Sequence, residues 1–533
     1  MTKSHWRFAI VVHVILLGAL AWNYRWALNH DAVAYLRLAR YYSEGQSGLM
    51  ISGYWGPLLS WLIVPFLKLG LPDLVAARIV MAASAIFFWT GTVAVLKNFQ
   101  VPGIFFRVGI WLGSLAAAWW SVQTITPDLL MGGFYCHAVS DLMRFEGRAN
   151  SKTLIVAGLF FGLAYLAKAV AFPLSVLTIA GLIAWRRPVG PDARGVTIRS
   201  IALCLGAFLL LALPWIAVIS LKYHRLTIGT SGPIAHAIAG PPDHDRYHPT
   251  FVTIAAPEPG RVTSWEDPTR LGYHLWSPFS SSEYFSYQVA LTAANFRTAI
   301  ILLCTLNFIW WAAAVIYLAA FFGSRSARIG QDKTVHAWLP ILGVAGIYLP
   351  VYLDPVVQRF FYSAFPFLLV VTAGAARLLE NNFKNLRGQC LRAGAMLLVL
   401  AVLTPALVVA LGTPSGNRTT AFYPHLFAEK IAAANLRGPV VGSGFSSGGR
   451  GGLFLAFFLD QPWYGDKPNA AADVYKNSGA RLLIVNRWLP MDPAILHDGA
   501  FRDLDPMIFS SESERDLCPL KIFSITAAGR SEF

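Results

Sequence analysis

Four charged side chains, Asp31, Asp128, Lys168 and Arg359, stand at the edges of long apolar runs. Charge beside hydrocarbon is costly and is usually kept where it does work. Two carboxylates at similar depth suit acid/base chemistry, and two cations suit the clamping of a phosphate. Each has a plainer reading. Asp31 opens the amphipathic segment from Ala32 to Gly45, in which Tyr35, Leu38, Ala39 and Tyr42 share one face, and can serve as its N-cap. Asp128 follows Pro127, an ordinary way to begin a helix. Lys168 and Arg359 can snorkel to headgroups. Ser282-Glu283-Tyr284-Phe285-Ser286-Tyr287 mixes aromatic and polar groups as an interfacial lid or sugar platform would, which makes Glu283 a candidate substrate contact. Five of the 12 histidines fall between 222 and 296, among them Asp243-His244-Asp245 and His248. Pro241, Pro242 and Pro249 oppose a helix there, so a solvated loop is preferred to a metal site. The five cysteines show no CxxC pair and imply neither disulfide framework nor zinc.

These side chains are positioned by membrane helices. Only 13% of the 533 residues are charged, against about 25% in soluble domains, and apolar runs near bilayer-crossing length recur. They lie near 8–24, 74–96, 103–120, 127–143, 153–167, 169–185, 200–221, 297–322, 335–352, 356–376 and 393–411, giving about eleven spans. Residues 153–185 count twice, because one helix of that length would reach about 50 Å across a core of about 30 Å; Lys168 and Pro173 mark the break. The run 55–69 is short, contains Pro57 and Pro65, and reads as an interfacial helix, with a twelfth span as the alternative. Without that crossing, every second connection carries the basic residues: Lys3 and Arg7; Lys97 and Arg107; Arg144, Arg148 and Lys152; Arg186, Arg187, Arg194 and Arg199; Arg325, Arg328 and Lys333; Arg377, Lys384, Arg387 and Arg392. The positive-inside rule makes these cytoplasmic and puts loops 25–73 and 222–296 and the tail 412–533 outside. Ala19-Leu20-Ala21 resembles a signal peptidase site, and cleavage there would leave this orientation unchanged.

The tail holds 12 Lys+Arg against 12 Asp+Glu, so the formal charge of +15 belongs wholly to residues 1–411. Such a distribution concerns membrane orientation and not nucleic acid. Pro439-Val440-Val441 and Arg481 to Val485 read as buried strands, and Leu426 to Leu436 as helix, in a small outward α/β domain. The Gly-rich run Gly442 to Gly452 departs from GxGxxG and reads as a loop.

Residues 1–411 resemble the GT-C glycosyltransferases related to protein O-mannosyltransferases and the lipid A aminoarabinose transferase. His30-Asp31-Ala32-Val33-Ala34-Tyr35 is similar to the family's first acidic motif, with Ala32 where a second acid is usual. Gly53-Tyr54-Trp55-Gly56-Pro57-Leu58 resembles its juxtamembrane helix, and Thr126-Pro127-Asp128 its second outer acid. Gly162 to Lys168 and Gln358-Arg359-Phe360-Phe361-Tyr362 with Pro366 resemble its lysine and late arginine motifs. The resemblance implies inverting transfer of a sugar from a polyprenyl-phosphate donor to a hydroxyl of a lipid, glycan or protein. Asp31 would then be the base, Asp128 a second catalytic carboxylate orienting acceptor or base, Lys168 and Arg359 the donor-phosphate ligands, and Tyr35, Tyr54, Trp55, Glu283 and Tyr362 substrate contacts. No cofactor is required; a divalent metal is possible but not indicated. A bacterial inner membrane, with site and tail facing the periplasm or exterior, fits this chemistry. The competing readings are a polyprenyl-lipid carrier or flippase and a membrane scaffold.

Overall fold

A computed structural model describes residues 3–144, 151–186, 192–244, 246–322, 332–382, 388–412, 420–443, 451–467 and 470–526. Asp245, residues 444–450 of the Gly-rich run, and Arg148, Arg187, Arg325, Arg328, Lys384 and Arg387 lie outside them. Helices α1 (Lys3–Asn23), α2 (His30–Glu44), α3 (Pro57–Lys68), α4 (Asp73–Asn98), α5 (Gly103–Gln123) and α6 (Asp128–Met143) are followed by α7 (Ser151–Ala167), α8 (Ala171–Trp185) and α9 (Ala193–Lys222). After the short α10 (Ser231–Ala237) and a stretch of 3-10 turns come α11 (Ser282–Leu306) and α12 (Trp310–Phe322), then helices Trp338–Tyr348, Phe365–Asn382 and Gln389–Gly412. Among the described residues six helices are long and apolar enough to cross a membrane, and five shorter ones are apolar. This is an integral membrane protein.

Several expectations meet their elements. The break inside 153–185 falls at Lys168, between the end of α7 at Ala167 and the start of α8 at Ala171. The run 55–69 is a helix of 12 residues, α3, about 18 Å long; Pro57, Leu58, Leu59, Ser60 and Ile63 form its buried face while Trp61 and Leu62 are exposed. Helices α7 and α9 touch through Gly158 and Gly162, where an added Cβ would lie 2.3 Å from the Cys204 carbonyl oxygen and 2.8 Å from Leu211 Cβ. That small-xxx-small spacing lets backbones approach.

The single run expected over 297–322 needs correction. It is two helices meeting at Asn307, and α11 begins 15 residues before 297, inside what loop 222–296 was expected to contain. The Asn307 side chain donates to the Leu368 carbonyl and Thr372 hydroxyl, which stabilises the break. The early start escaped an apolar count because polar residues interrupt the first half of α11 and find partners: Gln288 meets His236, and Asn295 donates to the Leu349 and Val351 carbonyls. Of the run 335–352, only Trp338–Tyr348 is α-helix, preceded by a 3-10 turn over Lys333–Ala337.

The tail has the expected strands as β1 (Val440–Gly442) and β3 (Leu482–Asn486), joined by β2 (Trp463–Asp466), β4 (Phe501–Asp503) and β5 (Leu520–Ile525) in a five-stranded sheet, and its helix, expected over 426–436, runs Phe422–Ala433. The order is β2-β1-β3-β5-β4, parallel about β1 and antiparallel about β5. Alternation divides its faces. Val441, Leu483, Val485, Phe523 and Ile525 form one small core, while Val440, Leu482, Ile484 and Ile522 join the apolar cluster continuous with the membrane helices. The helix Gly451–Leu459 lies on that second side and reaches α2.

Candidate active site

Four segments distant in sequence converge at helix ends. The first turn of α2 supplies Asp31, that of α6 supplies Asp128, the α7–α8 break supplies Lys168, and the 3-10 turn Gln358–Ala364 supplies Arg359. Asn29, just before α2, accepts a hydrogen bond from the Ile125 N–H at 2.9 Å and so ties the Asp31 turn to the Thr126-Pro127-Asp128 turn. Arg78 donates to the Ala27 and Val122 carbonyls, joining the ends of α1 and α5 beside that tie. Gly56 brings α3 against the break that carries Lys168; a Cβ there would lie 2.3 Å from the Ala167 carbonyl oxygen.

The charges meet in two pairs. Arg359 Nη2 lies 2.5 Å from Asp31 Oδ2, and Lys168 Nζ lies 2.5 Å from Asp128 Oδ1. Phe360 stands between the cations, with Lys168 Nζ 4.4 Å and Arg359 Cζ 5.6 Å from its ring centre, so the two pairs form one site. Both carboxylates are buried, Asp31 at 5% exposure and Asp128 at 2%. Buried ions demand partners, and the pairing supplies them within a charge-balanced cluster. Burial pushes the Asp31 carboxyl up, but the Arg359 guanidinium, His30, and hydrogen bonds from Arg359 and the Trp265 Nε1–H outweigh it and hold the group well below the usual carboxylate range. Asp31 is therefore an anion, and a weak base while Arg359 lies against it. The Tyr35 hydroxyl is pushed up by burial and by Asp31 and Asp128, so it remains a hydrogen-bond donor.

An aromatic wall adjoins Asp31. Tyr35 meets Trp55 edge-on at 5.0 Å, Tyr54 meets Trp55 at 4.6 Å and Trp265 at 5.3 Å, and the Trp55 indole donates to the Trp265 carbonyl. Tyr362 stacks on Trp120 at 3.9 Å, a packing role next to the site. Glu283 stands apart, exposed in the first turn of α11, where Ser281 caps the Tyr284 N–H. Asp243 and His244 both meet the Tyr284 hydroxyl, and His248 meets that of Tyr273. Sequence reasoning passed over Asn29, His30 and Trp265. His30 adjoins Asp31, at 3.2 Å from its Oδ1, but Trp265 is 234 residues from its partner, in a loop without periodicity. A charged phosphate entering this site would compete with the carboxylates for Lys168 and Arg359, and would leave Asp31 free to take a proton.

No protein-family model and no curated protein matches this sequence. Among solved structures the chain is similar to ArnT from Cupriavidus metallidurans in two states. For ArnT bound to undecaprenyl phosphate the TM-score is 0.52 with 13% identity over 100% of both chains; for the apo state it is 0.53 with 13% identity over 99% of both. At that identity the likeness is one of fold.

Proposed function

We propose that this protein moves a sugar from a polyprenyl-phosphate carrier to an acceptor hydroxyl, with inversion at the anomeric carbon. The observation that carries the reading is the double acid–cation site, Asp31 with Arg359 and Asp128 with Lys168, assembled at the helix ends of a GT-C fold. The related fold solved with undecaprenyl phosphate supports a lipid phosphate as the ligand of those cations.

The chemistry follows from the charges. Donor phosphate draws Lys168 and Arg359 onto its oxygens through charge-assisted hydrogen bonds. Asp31, relieved of Arg359, becomes the stronger base when one is needed. It takes the acceptor O–H proton as that oxygen attacks the anomeric carbon from the face opposite the phosphate. The bond from that carbon to the phosphate oxygen breaks, its electron pair leaves with the lipid phosphate, and the two cations stabilise the growing charge. Asp128 holds Lys168 in place, and Tyr35, Tyr54 and Trp55 offer faces to the sugar. The products are an inverted glycoside and the free polyprenyl phosphate. No step calls for a metal.

The reaction is assigned to the outer face of a bacterial inner membrane, since nucleotide sugars are cytoplasmic and an outward transferase needs a lipid-borne donor. Residues 1–411 would form the catalytic unit and 412–533 an outward α/β unit. The acceptor is a lipid, glycan or protein hydroxyl. Mass spectrometry of polyprenyl-phosphate sugars in cells with wild-type protein or Asp31→Asn, at matched membrane levels, tests this. One glycolipid should accumulate in the variant; matched pools with persisting product would favour the carrier or scaffold reading.

A further inference from the structure

The segment 249–266 links the tail to the site, beside direct contacts of the tail with α2. Its near end is Trp265, whose indole N–H donates to Asp31 Oδ1 at 3.2 Å. The next residue, Glu266, is fully buried and anchors the segment to α2: Tyr41 donates to its Oε2 at 2.7 Å, and Arg37 Nε lies 3.8 Å away. The Val262 and Thr263 N–H groups donate to Glu266 Oε1 at 3.0 and 3.1 Å, and Arg261 lies 3.5 Å from Oε2.

The far side of the segment is gripped by β2. The Trp463 N–H donates to the Val262 carbonyl at 2.6 Å, and the Ala255 N–H donates to the Tyr464 carbonyl at 2.7 Å. Beyond them Gly465, at φ +114°, lies so close that a Cβ would stand 2.1 Å from the Thr253 carbonyl oxygen. Phe251 bridges the two ends, 6.0 Å from Trp463 and 4.7 Å from Trp265. Asp460, just before β2, pairs with Arg37 at 2.5 Å, so the same sheet also holds the helix bearing Asp31.

We infer that residues 249–266 are a strap by which the C-terminal sheet sets the position of Asp31, with Trp265 as the positioning residue and Gly465 as the contact that seats the strap. This rests on the transferase reading for its catalytic consequence, though the grip itself does not.

Three variants test it in the full-length protein in liposomes: Trp265→Phe, which keeps the ring and removes the donor; Gly465→Ala, which unseats the strap from a distance; and Asp31→Asn. One hydrogen bond to a charged acceptor is worth about a tenfold effect. Trp265→Phe should lower kcat about tenfold because the carboxylate is misplaced, although loss of the indole N–H also makes it a stronger base, leave the donor KM within about twofold, and raise the acid limb of the kcat profile by about one pH unit. Asp31 is also faced by Arg359, His30, Lys168, Asp128, Tyr35 and Tyr54, so the profile is repeated in a His30→Gln background to exclude the imidazole's own titration. Gly465→Ala should speed amide exchange across 249–266 at least about tenfold with β3 unchanged, and lower kcat as Trp265→Phe does. If both variants keep wild-type kcat and pH limb while Asp31→Asn abolishes transfer, the strap is refuted and the transferase reading stands. If Asp31→Asn transfers normally, that reading fails, and unchanged exchange in Gly465→Ala refutes the grip separately.

Discussion

Replacing Lys168 by Ala separates a phosphate ligand from a merely structural cation. Lys168 Nζ is 2.5 Å from Asp128, which is 2% exposed, and is itself only 23% exposed. Removing one partner of a buried pair costs about 3–5 kcal/mol, mostly through the ion left behind. The remaining exposure of Lys168 places this pair at the lower end, about 3 kcal/mol. That loss falls on stability and should be largely recovered in Lys168→Ala with Asp128→Asn, where no carboxylate is stranded. Donor binding behaves otherwise. A charge-assisted hydrogen bond contributes about 1.5–3 kcal/mol, so the donor KM should rise about 10- to 150-fold in both the single and the double variant. The assay is steady-state transfer in liposomes, titrating donor at saturating acceptor and then the reverse, beside thermal unfolding of the same preparations. A donor KM unchanged within about threefold, an acceptor KM that rises equally, or a donor defect repaired together with stability would refute the clamp.

Further outcomes follow from the same geometry. The Asp31 carboxyl lies below its unfolded value of about 3.9, so the stability it contributes is present above that pH and is lost only as pH falls through the lower folded value; Arg359→Gln removes its strongest downward influence. In that variant the carboxyl lies closer to its unfolded value, so the stability it contributes near neutral pH shrinks, and the loss on acidification below about pH 4, read by thermal unfolding, should be smaller than in the wild type. Gly56→Ala drives a Cβ into the Ala167 carbonyl and should destabilise by about 1–3 kcal/mol, with reduced kcat because Lys168 shifts; thermal unfolding and initial rates check both. Glu283→Gln, at an exposed helix start, should leave donor and acceptor KM within about twofold, and a larger change would make Glu283 a substrate contact.

Much of this was legible because local physics decides it. The α7–α8 break at Lys168 follows from a run too long for the bilayer, and α3 from two prolines in a run too short for it. Strands β1 and β3 announced themselves as short β-branched and leucine runs. Asp31, Asp128, Lys168 and Arg359 were recognisable as charges beside apolar spans, yet their partnership was not. Asp31 and Arg359 are 328 residues apart, and no periodicity links a turn before α2 to one near the end of the membrane part. Trp265 was hidden for the same reason. The start of α11 was missed because the polar residues in its first half are satisfied by partners elsewhere, Gln288 by His236 and Asn295 by the Leu349 and Val351 carbonyls, so an apolar count began too late.

The most direct test is transfer by the purified protein in liposomes, supplied with a panel of undecaprenyl-phosphate sugars and extracts of envelope lipid, glycan and protein, with the product's anomeric configuration read by NMR. The account predicts transfer from one of these donors, with inversion, and its loss in Asp31→Asn. Retained configuration, or equal transfer by wild type and Asp31→Asn, would contradict it.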